Sequence, residues 1–444
     1  MKHVRWVALV ATIVLATAGT STAFAARGTA DEKPTASEVG ITATTIRIAV
    51  VADVDTPLAP GLFQGSVNGV KGWAKYINAN GGLAGRKVVV DFIDSKLNGD
   101  EARNAVIKAC SEDFALVGTS ALFLNNVDDI EACVDKAGVA TGIPDVAVVT
   151  TETEQQCSPT TYAVNPPQLI CSTRTENPQT YQGNAGRAFY YEKKFGKGLH
   201  GGYILSGDLK SAENTNRASM SQMQFAGAGI KADFETPVSS RAPQSNYTPL
   251  VQQLKDDSSN YAQSGGTFNT TVLLRREAKL QGITDPKFIW DCTLQCYDRE
   301  LLKQGGADVE GQFVSLLFLP FEEASSNKAL ANFLKYTGKN KADGFGVQAY
   351  ASGLLVSDAI EKIVSASGVN GVTRQALFDQ LDATTSFNAG GMIGKTNIAD
   401  RETSPCYVLT QVKNGKFVRV TPSKKGTFDC KPRNVLEIKL DLIK

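Results

Sequence analysis

Ile46-Arg47-Ile48-Ala49-Val50-Val51-Ala52 is the stretch from which the fold is read. All of its side chains but Arg47 are apolar. A strand with one wet face alternates apolar with polar residues; an unbroken apolar run is the mark of a parallel strand covered on both sides. Beyond it, Val67, Val70, Ala74 and Ile77 recur at helical spacing until Asn80-Gly81-Gly82, where glycine can take the left-handed conformation that ends a helix. A strand at Val88–Ile93, a helix over 100–112 with Ala102, Val106 and Cys110 in line, and a strand at Phe114–Val117 come next. The spacing of Val127, Ile130, Val134 and Ala137 predicts another helix, followed by a strand from near Gly138. Strand–helix alternation of this kind builds βαβ units with right-handed crossovers, and hence a doubly wound parallel sheet.

Residues 150–178 interrupt the rhythm with Pro159, Pro166, Pro167, Pro178 and two cysteines, and read as a crossing between two lobes. The alternation then resumes, with helices over 179–195, 212–227, 246–257 and 268–281 and strands over 201–206, 230–236, 259–264 and 287–291. Leu316–Pro320 leads to helices over 325–337, 345–366 and 373–382 without strands between them, as if they packed onto a lobe already built. Tyr407–Val412, Asn414-Gly415 and Phe417–Val420 read as a β-hairpin. The expected organisation is a leader over 1–25, a flexible segment over 26–43, an amino-terminal lobe over 44–170 completed by 320–395, and a carboxyl-terminal lobe over 171–319 completed by 396–444.

The leader rests on Lys2 and Arg5, the apolar run Trp6–Ala18, and the small-x-small triplet Ala23-Phe24-Ala25. Over residues 6–26, Thr12, Thr17, Gly19, Thr20, Ser21 and Thr22 make a poor spanning helix. The expected protein is therefore exported by a cleaved signal peptide to the periplasm or the cell surface. Across its 444 residues the chain carries 46 basic and 45 acidic side chains. A near-neutral balance argues against nucleic acid or an anionic membrane surface as a main partner. Eight cysteines in an exported chain point to four disulfides. Spacing alone leaves many pairings open, but neighbours lie close along the chain, so the expected bridges are Cys110–Cys133, Cys157–Cys171, Cys292–Cys296 and Cys406–Cys430. The first also follows from adjacent helices on one face of a parallel sheet.

With these elements placed, Ile46–Val51, Asn68-Gly69-Val70 and the run Tyr76–Lys87 (YINANGGLAGRK) resemble the amino-terminal signature of type I periplasmic binding proteins. Within that fold the resemblance is to the branched-chain-amino-acid (leucine/isoleucine/valine) binding proteins of ABC transporters. It continues in FALVG (114–118), NYTPLVQQLK (246–255), LRREAKLQG (274–282) and the long segment 344–363, covering roughly residues 44 to 420. It implies two lobes joined by three crossovers that close on a ligand, with no cofactor, no metal and no nucleic acid. It further implies a small-molecule solute and the membrane permease of an ABC importer as partners, with the binding protein itself a monomer. An exported sensor or receptor domain of the same fold is the alternative.

In open α/β sheets ligands bind beyond the carboxyl ends of the strands. That rule nominates the loops after Ala52, Val117, Thr141, Leu205, Ser264 and Trp290. The expected contacts are Phe63, Ser120, Ala121 and Pro144 from the first lobe, and Ser211, Gly266, Thr267 and Asp291 from the second. Leu122 and Phe123 make the first-lobe loop apolar, which predicts a ligand with a sizeable hydrophobic part and few charges. Asp291 would meet a ligand cation or be held by its own surroundings; the sequence leaves both open. No catalytic residue is expected. His200 is the one histidine beyond the leader and has no Gly-x-Ser-x-Gly elbow beside it. The P-loop-like Ala389–Thr396 lacks the flanking strand and helix that phosphate binding requires, and reads as a turn-rich return between lobes.

Overall fold

β1 (Thr45–Ala52) is buried on both faces. Ile46, Ile48, Val50 and Ala52 enter a cluster with Val67, Val70 and Trp73, while Ala49 and Val51 enter another with Ala102, Val106 and Ala109. This continuous burial is why the run carries no polar alternation. The computed structural model describes residues 32–56, 59–166 and 168–442; the expected leader 1–25 lies outside them. Within the 26–43 segment, the residues from Glu32 onward are not the flexible stretch the sequence suggested. Glu38 is buried, and its carboxylate accepts from the backbone N–H groups of Val39, Lys136 and Arg374, which fastens the segment to the first lobe.

The first sheet runs β2-β1-β3-β4-β5, with β2 (Lys87–Asp94), β3 (Ala115–Val117), β4 (Asp145–Ala147) and β5 (Thr161–Ala163), all paired in parallel. After β6 (Gln179–Asn184), a second sheet is built from β7 (Leu199–Ser206), β8 (Ile230–Val238), β9 (Tyr261–Ser264), β10 (Ile289–Cys292) and β11 (Phe313–Leu316). β12 (Val408–Lys413) and β13 (Lys416–Thr421) extend it antiparallel, in the order β13-β12-β11-β10-β9-β7-β8. The hairpin turns at Asn414 and Gly415, both at positive φ (51° and 68°), as tight two-residue turns require. The protein is thus α/β with two wound sheets, the second carrying an antiparallel edge. β14 (Val435–Leu440) pairs antiparallel with β6 in a separate ribbon.

The long helix Gly344–Ser367 lies against helix Gln64–Ala79 of the first lobe. Glycine makes this approach possible: a Cβ on Gly69 would sit 2.1 Å from the carbonyl oxygen of Gly346. Trp73 occupies the space left by Gly353 and donates to Ser357 Oγ at 2.9 Å. Between the sheets the chain crosses near Leu317–Leu319 and again near Met392–Gly394. These two crossings bond to each other, Leu319 N–H to Met392 O and Gly394 N–H to Leu317 O. The disulfides are Cys110–Cys133, Cys157–Cys171, Cys292–Cys296 and Cys406–Cys430.

Three further sequence expectations fail. The helix expected over Val127–Ala137 is a single turn, Asp128–Glu131, and no strand starts near Gly138. Cys133 is drawn to Cys110 and Val134 bridges to Ala140, which turns the chain back before a second turn forms. The expected helix 179–195 is split: 179–184 is β6, and the helix proper is Gly186–Phe195.

Three carboxyl groups, Asp113 and Asp145 fully buried and Asp343 partly so, give stability a pH dependence. Burial, then the neighbouring Asp91, pushes the Asp113 carboxyl up to about 8, and burial pushes Asp145 and Asp343 up to about 6. The folded chain therefore keeps protons that the unfolded chain releases, so stability falls as pH rises from about 4 to about 8. Urea midpoints should be higher at pH 5 than at pH 8.5, and Asp113→Asn should flatten the slope at its alkaline end. A midpoint that rises across that window contradicts the assignment.

Candidate functional site

The loops at the carboxyl ends of the parallel strands are held by polar side chains. Asp53, directly after β1, is fully buried, and its carboxylate accepts from Ser95 Oγ (2.6 Å), Leu97 N–H (2.7 Å) and Leu122 N–H (2.8 Å). One carboxylate thereby fixes the loops after β1, β2 and β3 and sets Leu97 and Leu122 on the rim. Across the cleft, Asn216 Oδ1 accepts from Ser206 N–H at 2.7 Å, while Asp208 accepts from Ser239 Oγ and Ser240 N–H. Gly265 lies close beneath Asn216: a Cβ there would sit 2.5 Å from Asn216 Oδ1.

Between these rims lies a chamber of about 490 Å3. Leu62, Phe63 and Leu122 of the first lobe face Leu209 and Phe268 of the second, with Phe345 from the long helix. Phe63 meets Phe345 edge-on, with ring centroids 4.9 Å apart. Three acids line it: Asp208, bonded as above, and Asp298 and Asp343, which accept from the N–H groups of Glu300 and Gly346 at the starts of helices. An inner chamber of about 280 Å3 continues from it past Thr151, Asn216, Gln295 and Phe345 toward the crossings. The inner walls are richer in amides, including Gln168, Gln222, Gln263 and Gln348.

The sequence-nominated residues divide. Phe63, Gly266 and Thr267 line the outer chamber. Ser211 lines a neighbouring groove with Glu152 and Lys210. Ser120, Ala121 and Pro144 are buried below the rim, and Ser120 Oγ donates to Ser66 Oγ at 2.8 Å. Asp291 is turned away from any ligand role. It is 1% exposed, pairs with Arg187 Nε at 2.8 Å, and accepts from Tyr191 OH (2.8 Å) and Tyr261 OH (2.7 Å). A carboxylate with three charge-assisted or hydroxyl donors has no need of a ligand cation. Sequence reasoning missed Thr151, Asn216, Leu294, Gln295, Phe345 and Gln348. The strand-end rule reaches Leu294 and Gln295, which lie in the loop that Cys292–Cys296 closes after β10. His200 Nδ1 lies 2.7 Å from Asp233 at the edge of the second sheet, away from the cleft residues.

A family model described as periplasmic binding protein matches residues 45–416, and the chain belongs to that family of extracytoplasmic solute-binding proteins. Solved structures share the fold at low identity. An ABC transporter substrate-binding protein from Aeropyrum pernix superposes with a TM-score of 0.66 at 15% identity, covering 88% of this chain and 97% of that one. A fatty acid ABC transporter substrate-binding protein from Thermomonospora curvata gives 0.67 at 17%, covering 89% and 95%. A leucine-binding protein, LivK, from Thermotoga maritima gives 0.63 at 17%, covering 85% and 98%. No curated protein matches the sequence.

Proposed function

We propose that the chain is the solute-binding component of an ABC importer. It closes its lobes on a small, partly hydrophobic organic solute, an amino acid, amide or organic acid, and presents it to a membrane permease. Export by the leader ending at Ala25 puts it where such a solute is met. The carrying observation is the outer chamber, whose apolar walls come from both lobes. Closure around a solute then removes hydrocarbon from water, each 100 Å2 contributing roughly 2.5 kcal/mol. A thermal-shift screen of amino acids, amides, aromatic acids and steroid-like acids tests this reading. Solutes with a hydrocarbon body should raise the midpoint, by a stabilisation of about 2.7 kcal/mol at a hundredfold excess over Kd. If only small, highly charged solutes raise it, the reading is wrong.

A further inference from the structure

Along the inner chamber, among the described residues, Arg187 is the single charged side chain. Its charge is matched by Asp291, and its terminal nitrogens reach Asn184 O at 3.4 Å and Gln263 Oε1 at 3.5 Å. The chamber thus offers a ligand neither a free cation nor a free anion. Side chains that line it do carry unpaired polar atoms. Gln348, 3% exposed, donates its Nε2 to Gly344 O at 3.1 Å, which fixes the amide's orientation and leaves Oε1 buried with no partner. Gln168 Oε1 is also buried and unpartnered. So is Gln222 Nε2, whose side chain, 1% exposed, lies over Gly183 where a Cβ would sit 1.9 Å from its amide oxygen. Thr403 Oγ1 completes the set. Buried polar atoms are nearly always hydrogen-bonded, and four unpaired ones belong to side chains that line this one chamber.

We infer that the inner chamber receives an uncharged head group that both donates and accepts hydrogen bonds, such as a primary carboxamide, with the solute's hydrocarbon body in the outer chamber. The inference rests on the proposed reading of the cleft as the solute site. A carboxylate only accepts, and would set its lone pairs against Gln348 Oε1 and Gln168 Oε1. An ammonium only donates, and would leave Gln222 Nε2 unpaired. A carboxamide pairs with both kinds of atom.

Calorimetry of the full chain with octanamide, octanoate and octylammonium at pH 7 tests it. Octanamide should bind about tenfold tighter than either ion. Gln348→Leu, or Gln348→Met where the leucine variant fails to fold, should remove most of that preference while the chain length of the probe still governs affinity. Octanoate or octylammonium binding as tightly as octanamide overturns the inference, as does a preference that survives loss of the Gln348 amide. If none of the three binds, the head-group assignment falls. The importer reading then stands or falls separately, on whether apolar solutes with other head groups raise the midpoint in the wider screen.

Discussion

Asp291→Asn should destabilise the protein by about 3–5 kcal/mol, the usual result of removing one partner from a buried ion pair. Arg187 is buried at 3% side-chain exposure, so its guanidinium would keep its charge with no carboxylate beside it. Tyr191 and Tyr261 would at the same time lose an anionic acceptor. The site sits in the middle of the second sheet: β10 pairs with β9 on one side and β11 on the other, so the strand cannot shift to admit water without breaking both ladders. Chemical denaturation gives the size of the loss. The double variant Arg187→Met with Asp291→Leu removes both charges and should recover much of it, because a well-packed apolar pair often matches a buried ion pair in stability. A single-variant loss below about 1 kcal/mol would show that the pair is solvated and that the network is misread.

Phe63→Ala is the second large effect, at about 3–5 kcal/mol of stability together with loss of the solute. Phe63 is 3% exposed and precedes the first turn of helix Gln64–Ala79, and its N–H donates to Asp53 O at 3.1 Å. Its ring both closes the first-lobe core and faces the outer chamber, so removing it opens a void that joins the two. Phe63→Leu keeps most of the volume and separates the consequences: it should fold with a small loss yet bind an apolar solute more weakly than the parent. Equal affinity in the parent and both variants, measured by calorimetry, would take Phe63 out of the solute site.

How far the sequence could be read depended on how far apart the interacting residues lie in the chain. β1 was legible because its burial on both faces leaves a local mark, an unbroken apolar run. β6 was also legible in principle: in Gln179–Asn184 the buried positions alternate, Gln179, Tyr181 and Gly183, a period of two that its glutamines disguise. The disulfide neighbours were close enough in sequence to pair by proximity. Asp291 was placed correctly at a strand end, yet its partner Arg187 lies 104 positions away, and nothing local distinguishes a carboxylate awaiting a ligand from one already paired. The same holds for Gln348. Its helix was found, but only the packed structure shows which face of Gly344–Ser367 looks into the cleft.

The ribbon of β6 and β14 ties the last described strand to the inner chamber. Val435 lies opposite Asn184 and Leu436 opposite Gly183, the two β6 residues that line the inner chamber. One layer of main-chain hydrogen bonds therefore separates β14 from the lining of the inner chamber. Shortening the chain before Val435 strips β6 of its ladder, and a purification tag or reporter fused there hangs from the binding wall itself. On the proposed reading of the cleft, an engineer attaching a sensor at β14 has a lever on affinity rather than a neutral handle.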